Sequence, residues 1–255
     1  MNKSIITALL IALTITGKSQ TDEIPDISAD RPGMATPPFI LQPKKVQIET
    51  GFSYEKILFD NNFQETILYN STLIRYGINR NSEIRLQTDY ARVKTDSTNI
   101  TGLNPLTIGT KLLILGAKGI LPTTALLFNL TLPWIGEKRF RPENLAHSIY
   151  LLMQNDITKK LNVCYNIGIE YNGESPVPVE FAAICFGYSI TDKFNMFIES
   201  YNWFFNNTKP DNFIDVGGAY LIGKNFQVDL SGNMNLQYIE KYFMINAGVS
   251  WRIPK

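Results

Sequence analysis

The sequence has very few of the side chains that build metal sites. It contains one histidine, His147, and two cysteines, Cys164 and Cys185, in 255 residues. Structural and catalytic zinc sites need three or four such ligands at close spacing. We therefore predict no metal site, and since no phosphate-binding loop or nucleophile elbow is present, we predict no cofactor.

The chain also lacks an excess of positive or negative charge. The chain has 24 lysines and arginines against 23 aspartates and glutamates, which gives a formal net charge of +1. Proteins that bind nucleic acids usually concentrate positive charge on one surface. The even balance therefore predicts no nucleic-acid partner.

Long apolar runs are absent, and a transmembrane helix needs about 20 consecutive apolar residues. The longest run, Ile5–Ile15, follows Lys3 and precedes the small residues Gly17 and Ser19. This layout predicts an export signal peptide over residues 1–19. A buried N-terminal helix is the alternative interpretation. Cleavage would remove two lysines and leave a net charge of about −1.

The rest of the chain, residues 44–255, consists of segments that alternate in polarity and are separated by turn residues. Short turns such as "NRN" and "GKN" alternate with longer separators such as "KTDSTNITGLN". This rhythm is typical of outer-membrane barrels, which have short periplasmic turns and longer outer loops. We predict an all-β, closed, antiparallel up-and-down transmembrane β-barrel of about twelve strands. The predicted strands are 45–58, 64–77, 82–94, 105–116, 121–133, 146–158, 161–172, 177–191, 193–205, 212–222, 225–236 and 241–253.

The two faces of the strands differ in charge. In the last segment Phe243, Ile245 and Trp251 alternate with polar residues that end at Arg252. A water-soluble β-sandwich also alternates. A charge facing lipid at the bilayer midplane costs about 2–4 kcal/mol, however, so we predict that the apolar face points to lipid. The charged and polar candidates for the lumen are Glu83, Arg85, Asp89, Lys111, Glu170, Glu180, Glu199, Asp215, Asp229 and Arg252.

Aromatic residues near the segment ends are candidates for the girdles that mark the two membrane interfaces. The high strand propensity of aromatic residues is the alternative explanation. These candidates are Tyr54, Tyr76, Trp134, Tyr188, Trp203 and Trp251.

Residues 20–43 carry five prolines and no clear period, which disfavours a strand. We predict an extended periplasmic arm or plug, with Asp30, Arg31 and Pro32 as the residues that enter the lumen. A simple Pro–Gly turn before the first strand is the alternative.

The two cysteines are equally distant from the centre of the "GESP" loop. A symmetric hairpin would place Cys164 directly opposite Cys185, and the periplasm permits disulfides. This disulfide is a hypothesis, because a bulge would shift the register.

An enzyme is not predicted, and no catalytic residues are assigned. A lipid-modifying barrel would need serine, histidine and asparagine together on its outer face. His147 and Ser148 are adjacent in a predicted strand, so their side chains point to opposite faces.

The ordered series "SADRPGMATPP", "KKVQIETGFSYE", "LIRYGINRNSEIRL", "YNIGIEYNG", "FGYSITDKFNMFIE", "DVGGAYLIGKNFQVDLSG" and "INAGVSWRI" resembles the meta-pathway phenol-degradation family. These are outer-membrane, transporter-like β-barrel proteins. The resemblance implies an outer-membrane channel for a small, hydrophobic or aromatic solute. The predicted barrel has outer-membrane lipids as partners, and its terminal strand, which ends its apolar run at Ile253, is the usual recognition element for the barrel-assembly machinery. A non-conducting structural or surface-interaction barrel, acting through "PWIGEKRFRPEN", is the alternative function.

Overall fold

Thirteen β-strands account for most of the chain in the computed structural model, which describes residues 26–58, 62–206, 208–237 and 241–253. The predicted signal peptide lies outside the described residues. None of the helical segments among those residues has the length and hydropathy of a transmembrane helix. The strands are β1 (Val46–Leu58), β2 (Phe63–Asn79), β3 (Ser82–Thr95), β4 (Asn99–Leu103), β5 (Thr107–Leu115), β6 (Thr123–Thr131), β7 (Ala146–Asp156), β8 (Leu161–Tyr171), β9 (Val179–Ser189), β10 (Phe194–Phe204), β11 (Asp211–Leu221), β12 (Phe226–Asn235) and β13 (Tyr242–Arg252).

Apart from β4 and β5, neighbouring strands along the chain pair in antiparallel fashion, and β1 pairs with β13. The sheet therefore closes on itself. β4 and β5 both pair with β3, β4 near its end and β5 near its start, so the two occupy one position in the wall. The wall has twelve strand positions, which confirms the predicted fold class.

The loop predicted between the third and fourth strands is partly wrong. Residues 99–103 form β4, which pairs with Tyr90–Lys94 of β3. Their exposure alternates residue by residue, so this short segment has the period of a strand.

Side chains alternate between the two faces of the wall as the sequence predicts. Exposed apolar residues such as Ile245 and Trp251 point outward, and buried polar residues such as Ser250 and Arg252 point inward. This is the reverse of a water-soluble protein, in which the enclosed face is the apolar one. The outward face suits lipid, and the inward face surrounds an enclosed axis.

The two ends of the barrel differ in their connections. Four tight turns lie at the end where β1 starts, at residues 80–81, 157–160, 190–193 and 222–225. The other end carries the longest connection, 132–145, which includes a short 3₁₀ turn at Lys138–Phe140. Longer loops are extracellular in outer-membrane barrels. The barrel therefore has its periplasmic end at the start of β1.

Candidate functional site

The segment before β1 lies inside the barrel rather than beside it. We call residues 26–45 the lumen arm. Ile27 and Leu41, near its two ends, are buried, and both ends bond to the periplasmic rim. Ile27 N–H donates to the carbonyl of Lys224, and the Gly77 N–H donates to the carbonyl of Lys45. The arm thus enters from the periplasmic end, crosses the lumen and returns.

Side chains of the wall satisfy the backbone of the arm. Met34 and Ala35 donate their N–H groups to the carboxylate of Glu199 at 2.8 and 2.7 Å. Asp30 N–H donates to Glu49 at 2.8 Å. The arm forms no ladder with a strand, so these bonds replace the partners that a buried backbone requires.

Two more wall residues hold the arm further along. Asn166 accepts from the Thr36 N–H at 2.6 Å and donates to the Thr36 carbonyl at 3.0 Å. The Leu41 N–H donates to Glu83 at 2.8 Å. The arm is thereby bonded to strands on opposite sides of the barrel, from β1 and β3 to β8 and β10.

A buried group of charges anchors the arm to one side of the wall. We call Asp30, Glu49, Arg75, Glu83, Arg85 and Lys111 the ionic cluster. Asp30 pairs with Arg75 at 3.2 Å, with Lys111 at 2.9 Å and with Arg85. Arg75 also pairs with Glu49 and Glu83, each at 2.9 Å. Three carboxylates face three cations, so the cluster is neutral as a whole.

The cations around Asp30 determine its charge state. Burial acts to raise the pKa of Asp30, but Arg75, Arg85 and Lys111 outweigh it and hold the pKa below its ordinary value of 3.8. Asp30 is therefore the ionised centre of the cluster. A buried charge that loses its partners is strongly destabilising, so removal of Asp30 affects the three cations around it.

Arg31 occupies a slot made by two glycines. Gly51 of β1 and Gly248 of β13 are directly opposed. A Cβ atom added at either position would lie 2.4 Å from the Arg31 guanidinium. Arg31 also pairs with Asp229 at 3.2 Å. The absence of two side chains thus creates the space in which this part of the arm is seated.

The other side of the wall presents aromatic rings to the lumen. We define Tyr150, Phe181, Tyr201, Trp203, Phe213 and Tyr242 as the aromatic wall. Tyr201 stacks on Phe213 at 4.8 Å between ring centroids, and Trp203 meets both rings edge-on. Phe181 and Tyr242 extend the contacts on either side, at 5.3 Å and 5.0 Å from their neighbours. Such offset and edge-to-face pairs are the favoured geometries of aromatic contact.

Cavities lie on both sides of the arm. A cavity of about 430 Å³ opens on its extracellular side, between the arm, the aromatic residues Tyr150 and Phe181, and amides such as Asn129. A cavity of about 300 Å³ lies on the periplasmic side. Residues 30–33 line both cavities. The arm therefore divides the lumen into two compartments.

The predicted lumen residues, apart from Glu180, lie on the inner face. Glu170 accepts from Trp203 Nε1 at 3.2 Å, and Asp89 accepts from Asn104 Nδ2 at 3.5 Å. Arg252 donates to Asn225, to Gln42 and to the carbonyl of Lys224. Glu199 lies directly opposite Asp215 on β11, and both are almost fully buried.

The prediction for Glu180 is wrong. Its side chain is exposed on the outward face, while its neighbour Phe181 points inward and is buried. Glu180 is next to the first residue of β9, at the extracellular end, where an outward charge lies near the interface and costs little. The same inversion applies to Trp203, which was a girdle candidate but belongs to the aromatic wall. Tyr54, Tyr76, Tyr188 and Trp251 do point outward.

Cys164 and Cys185 are directly opposed, as the loop symmetry predicts. Both are free thiols in the structure, so the predicted disulfide is not formed there. The Cys164 Sγ instead approaches the Thr36 carbonyl of the arm, at 3.5 Å. The cysteine pair thus contributes to arm binding through one member.

His147 points outward and stacks on Tyr171 at 4.7 Å, while Ser148 points inward and accepts a hydrogen bond from Asn129. The two side chains lie on opposite faces and form no dyad. Among the described residues, no group of three or more histidine, cysteine or acidic side chains is placed to hold a metal ion.

Sequence reasoning missed the aromatic wall. The available signal was the alternation itself, because Tyr201 is two residues from Glu199 and Phe213 is two residues from Asp215. Residues two apart in a strand share a face. These rings therefore belong to the inward face that carries the charges, although their hydrophobicity suggested the outward, lipid-facing one.

Solved outer-membrane barrels share this fold. An outer membrane channel from Pseudomonas putida F1 has a TM-score of 0.69 at 10% identity, over 88% of this chain and 99% of that one. The KdgM porin, in complex with disordered oligogalacturonate, has a TM-score of 0.56 at 10% identity, over 81% and 99%. The NanC porin has a TM-score of 0.55 at 10% identity, over 81% and 100%. At such identities the likeness establishes the fold.

The model of one family, described as "Putative MetA-pathway of phenol degradation", matches residues 29–253. No curated protein matches the chain. The match begins inside the lumen arm and includes every strand of the barrel, so it covers the arm and the wall as one unit. Together with the barrel neighbours, it places the chain in the outer membrane.

Proposed function

Because the chain belongs to the MetA-pathway phenol-degradation family, we propose that this outer-membrane β-barrel is a channel for passive or facilitated passage of small aromatic solutes. We further propose that the lumen arm is its plug. The solved barrels of the same fold include an outer membrane channel and two porins, which supports passage as the general activity.

The aromatic wall is the observation that carries this proposal. The interior of a transmembrane barrel is ordinarily polar. Here six aromatic rings point inward in the extracellular half, and Tyr150 and Phe181 border the cavity of about 430 Å³. Aromatic faces bind planar rings by stacking, and the nearby amide of Asn129 can bond a hydroxyl or carboxylate. Such a combination selects small rings with a polar substituent.

The lumen arm favours a second candidate, a filled barrel that conducts nothing and acts through its outer loops. Small barrels fill their interior with side chains, whereas porins of 16–18 strands leave a channel. Here a chain segment provides much of the filling. The two functions differ in one respect, since a channel requires the arm to leave its seat and a filled barrel does not.

Uptake by proteoliposomes tests the proposal. The probes are 4-hydroxybenzoate and its saturated analogue 4-hydroxycyclohexanecarboxylate at pH 8, where both are ionised and cross lipid slowly. We expect several-fold faster entry of the aromatic acid. Equal and protein-independent entry of both, with no conductance in planar bilayers at any voltage, would instead support the filled barrel.

Matched variants connect the preference to the aromatic wall. Replacement of Tyr150 and Phe181 by leucine keeps the wall apolar but removes the ring faces that border the cavity, so the preference for the aromatic acid should disappear. Phe186→Leu is the control, because Phe186 is an exposed ring on the outward face. A preference that survives the double replacement would contradict the role of the aromatic wall.

A further inference from the structure

Charged side chains on the outward face of the barrel are confined to its extracellular end. Within the described strands, the outward-pointing charged residues are Lys56, Glu65, Arg92, Lys94 and Glu180. Four of these five lie together on β1, β2 and β3. We call Lys56, Arg92 and Lys94 the basic patch.

The register brings these residues into two adjacent rows. Glu65 of β2 is directly opposite Lys56 on one side and Lys94 on the other. Its carboxylate is 3.8 Å from the Lys56 Nζ. Arg92 lies in the next row, opposite Ile67. The basic patch and Glu65 together have a net charge of +2, and the carboxylate of Asp96 lies beside them, where it accepts a hydrogen bond from the Phe63 N–H.

The three cations of the basic patch have few other partners among the described residues. The Lys94 and Lys56 Nζ atoms lie 5.6 and 6.0 Å from the ring centroid of Phe63, so both are near an apolar face. The Arg92 Nε is buried and has no hydrogen-bond partner among the described atoms. Within the described residues, one ion pair and two ring contacts therefore serve the three cations.

Aromatic rings lie directly below the basic patch. Tyr69 and Tyr90 are in contact on the outward face, with ring centroids 5.9 Å apart, and Tyr54 contacts Phe243 at 5.7 Å. Outward tyrosines mark the level of lipid headgroups. Arg92 lies one row beyond Tyr90 and in the row of Tyr54, and Lys56 and Lys94 lie one row closer to the extracellular end.

We infer that the basic patch binds the phosphates of a phosphorylated glycolipid of the outer leaflet, of the lipid A type. Arginine and lysine bind phosphate through charge-assisted hydrogen bonds, and the tyrosine and isoleucine surface below them contacts acyl chains. Outward charge is tolerated at an interface but not at the midplane. The position and the sign of the charge both fit this occupant.

The test uses the mature protein in detergent, titrated with lipid A that carries two, one or no phosphates, with complexes counted by native mass spectrometry. We expect affinity to fall with each phosphate removed. The triple variant K56Q/R92Q/K94Q should bind the two-phosphate form on the order of 100-fold more weakly, since each cation near a charged lipid surface contributes about a factor of five. The control K159Q/K160Q/K193Q removes three exposed lysines from turns at the opposite end and should bind normally.

Several outcomes would overturn the inference. Equal binding of the phosphate-free lipid would show that acyl chains alone are recognised. Displacement of lipid A by millimolar inorganic phosphate would show a site for free phosphate. Should the triple variant fail to fold, as judged by its electrophoretic mobility before and after heating, Lys94→Gln and Arg92→Lys replace it. The first should lose about five-fold and the second should retain most of the affinity. None of these results bears on solute passage.

Discussion

The inner wall of the barrel has two unlike sides. On β1–β5, at mid-depth and below, the charged side chains of the ionic cluster form ion pairs with Asp30 of the arm and with one another. On β7–β13, toward the extracellular end, the aromatic wall makes ring contacts within itself and borders a cavity. The first side holds the arm through ion pairs, whereas the second packs its rings against one another and against Met34 and Ala35 of the arm. Of its six rings, Tyr150 and Phe181 line the cavity of about 430 Å³. The contrast separates the part of the wall that binds the arm by charge from the part that binds it by apolar packing and borders the larger compartment.

The largest effect is expected from removal of Asp30, the carboxylate at the centre of the ionic cluster. Asp30→Ala leaves Arg75, Arg85 and Lys111 with one counter-charge fewer, and loss of a buried partner costs about 3–5 kcal/mol. We expect the arm to leave its seat and single-channel conductance to rise several-fold in planar bilayers. Asp192→Ala, at an exposed turn, is the control. Unchanged conductance in Asp30→Ala would contradict the assignment of the arm as a plug.

A truncation on the aromatic side should affect stability but not the plug. Phe213 is buried and contacts Tyr201, Trp203 and Tyr242. Phe213→Ala should lower the free energy of unfolding by about 3 kcal/mol, measured by urea unfolding in detergent. Conductance should stay near that of the wild type, since every ion pair and hydrogen bond of the arm is retained and only its apolar packing through Ala35 is loosened. An increase like that of Asp30→Ala would show that the two sides are not independent.

The glycine slot offers a gentler displacement of the arm. A methyl group at Gly51 would overlap the Arg31 guanidinium, and overpacking of this kind typically costs about 1–3 kcal/mol. We expect Gly51→Ala and Gly248→Ala to raise the frequency of channel openings less than Asp30→Ala does. Gly232→Ala is the matched control, because the nearest atom to its added Cβ is 3.6 Å away. Equal behaviour of all three variants would argue against the slot.

Two aspartates on β11 and β12 should respond in opposite directions to the loss of their charge. Asp215 faces Glu199 directly and forms no ion pair among the described residues, so Asp215→Asn removes a like-charge contact. We expect a gain of roughly 0.5–1 kcal/mol in unfolding free energy. Asp229→Asn removes the partner of Arg31 and should lower stability. Changes of the same sign in both variants would contradict this description of the charges.

The smallest effect expected is that of mild acid. Because the pKa of folded Asp30 lies below its ordinary value of 3.8, the stability that Asp30 contributes is complete above that value and is lost as the pH falls below it. The difference in urea midpoint between the wild type and Asp30→Asn should therefore stay constant from pH 7 to pH 5. It should shrink below about pH 4. A difference in urea midpoint that already declines at pH 6 would show that the pKa of folded Asp30 is raised above 3.8 and not lowered.

The sequence predicts the wall much better than it predicts the site. Strand period and turn chemistry are local, so twelve wall positions and the Cys164–Cys185 register follow from neighbouring residues. Contacts of the arm join residues far apart in the chain, such as Ala35 with Glu199, and no local pattern encodes them. The errors at Glu180 and Trp203 have one cause, since residue type was used to assign depth and face near strand ends. Alternation from a buried neighbour would have assigned both correctly.

The seat of Arg31 has a consequence for how the molecule is made. Gly51 belongs to the first strand and Gly248 to the last, so the slot exists only once the two ends of the sheet have joined. An unfinished barrel offers Arg31 no place to dock. Docking of Arg31 is therefore tied to completion of the ring, so the arm takes its place in the lumen only after the first and last strands have paired.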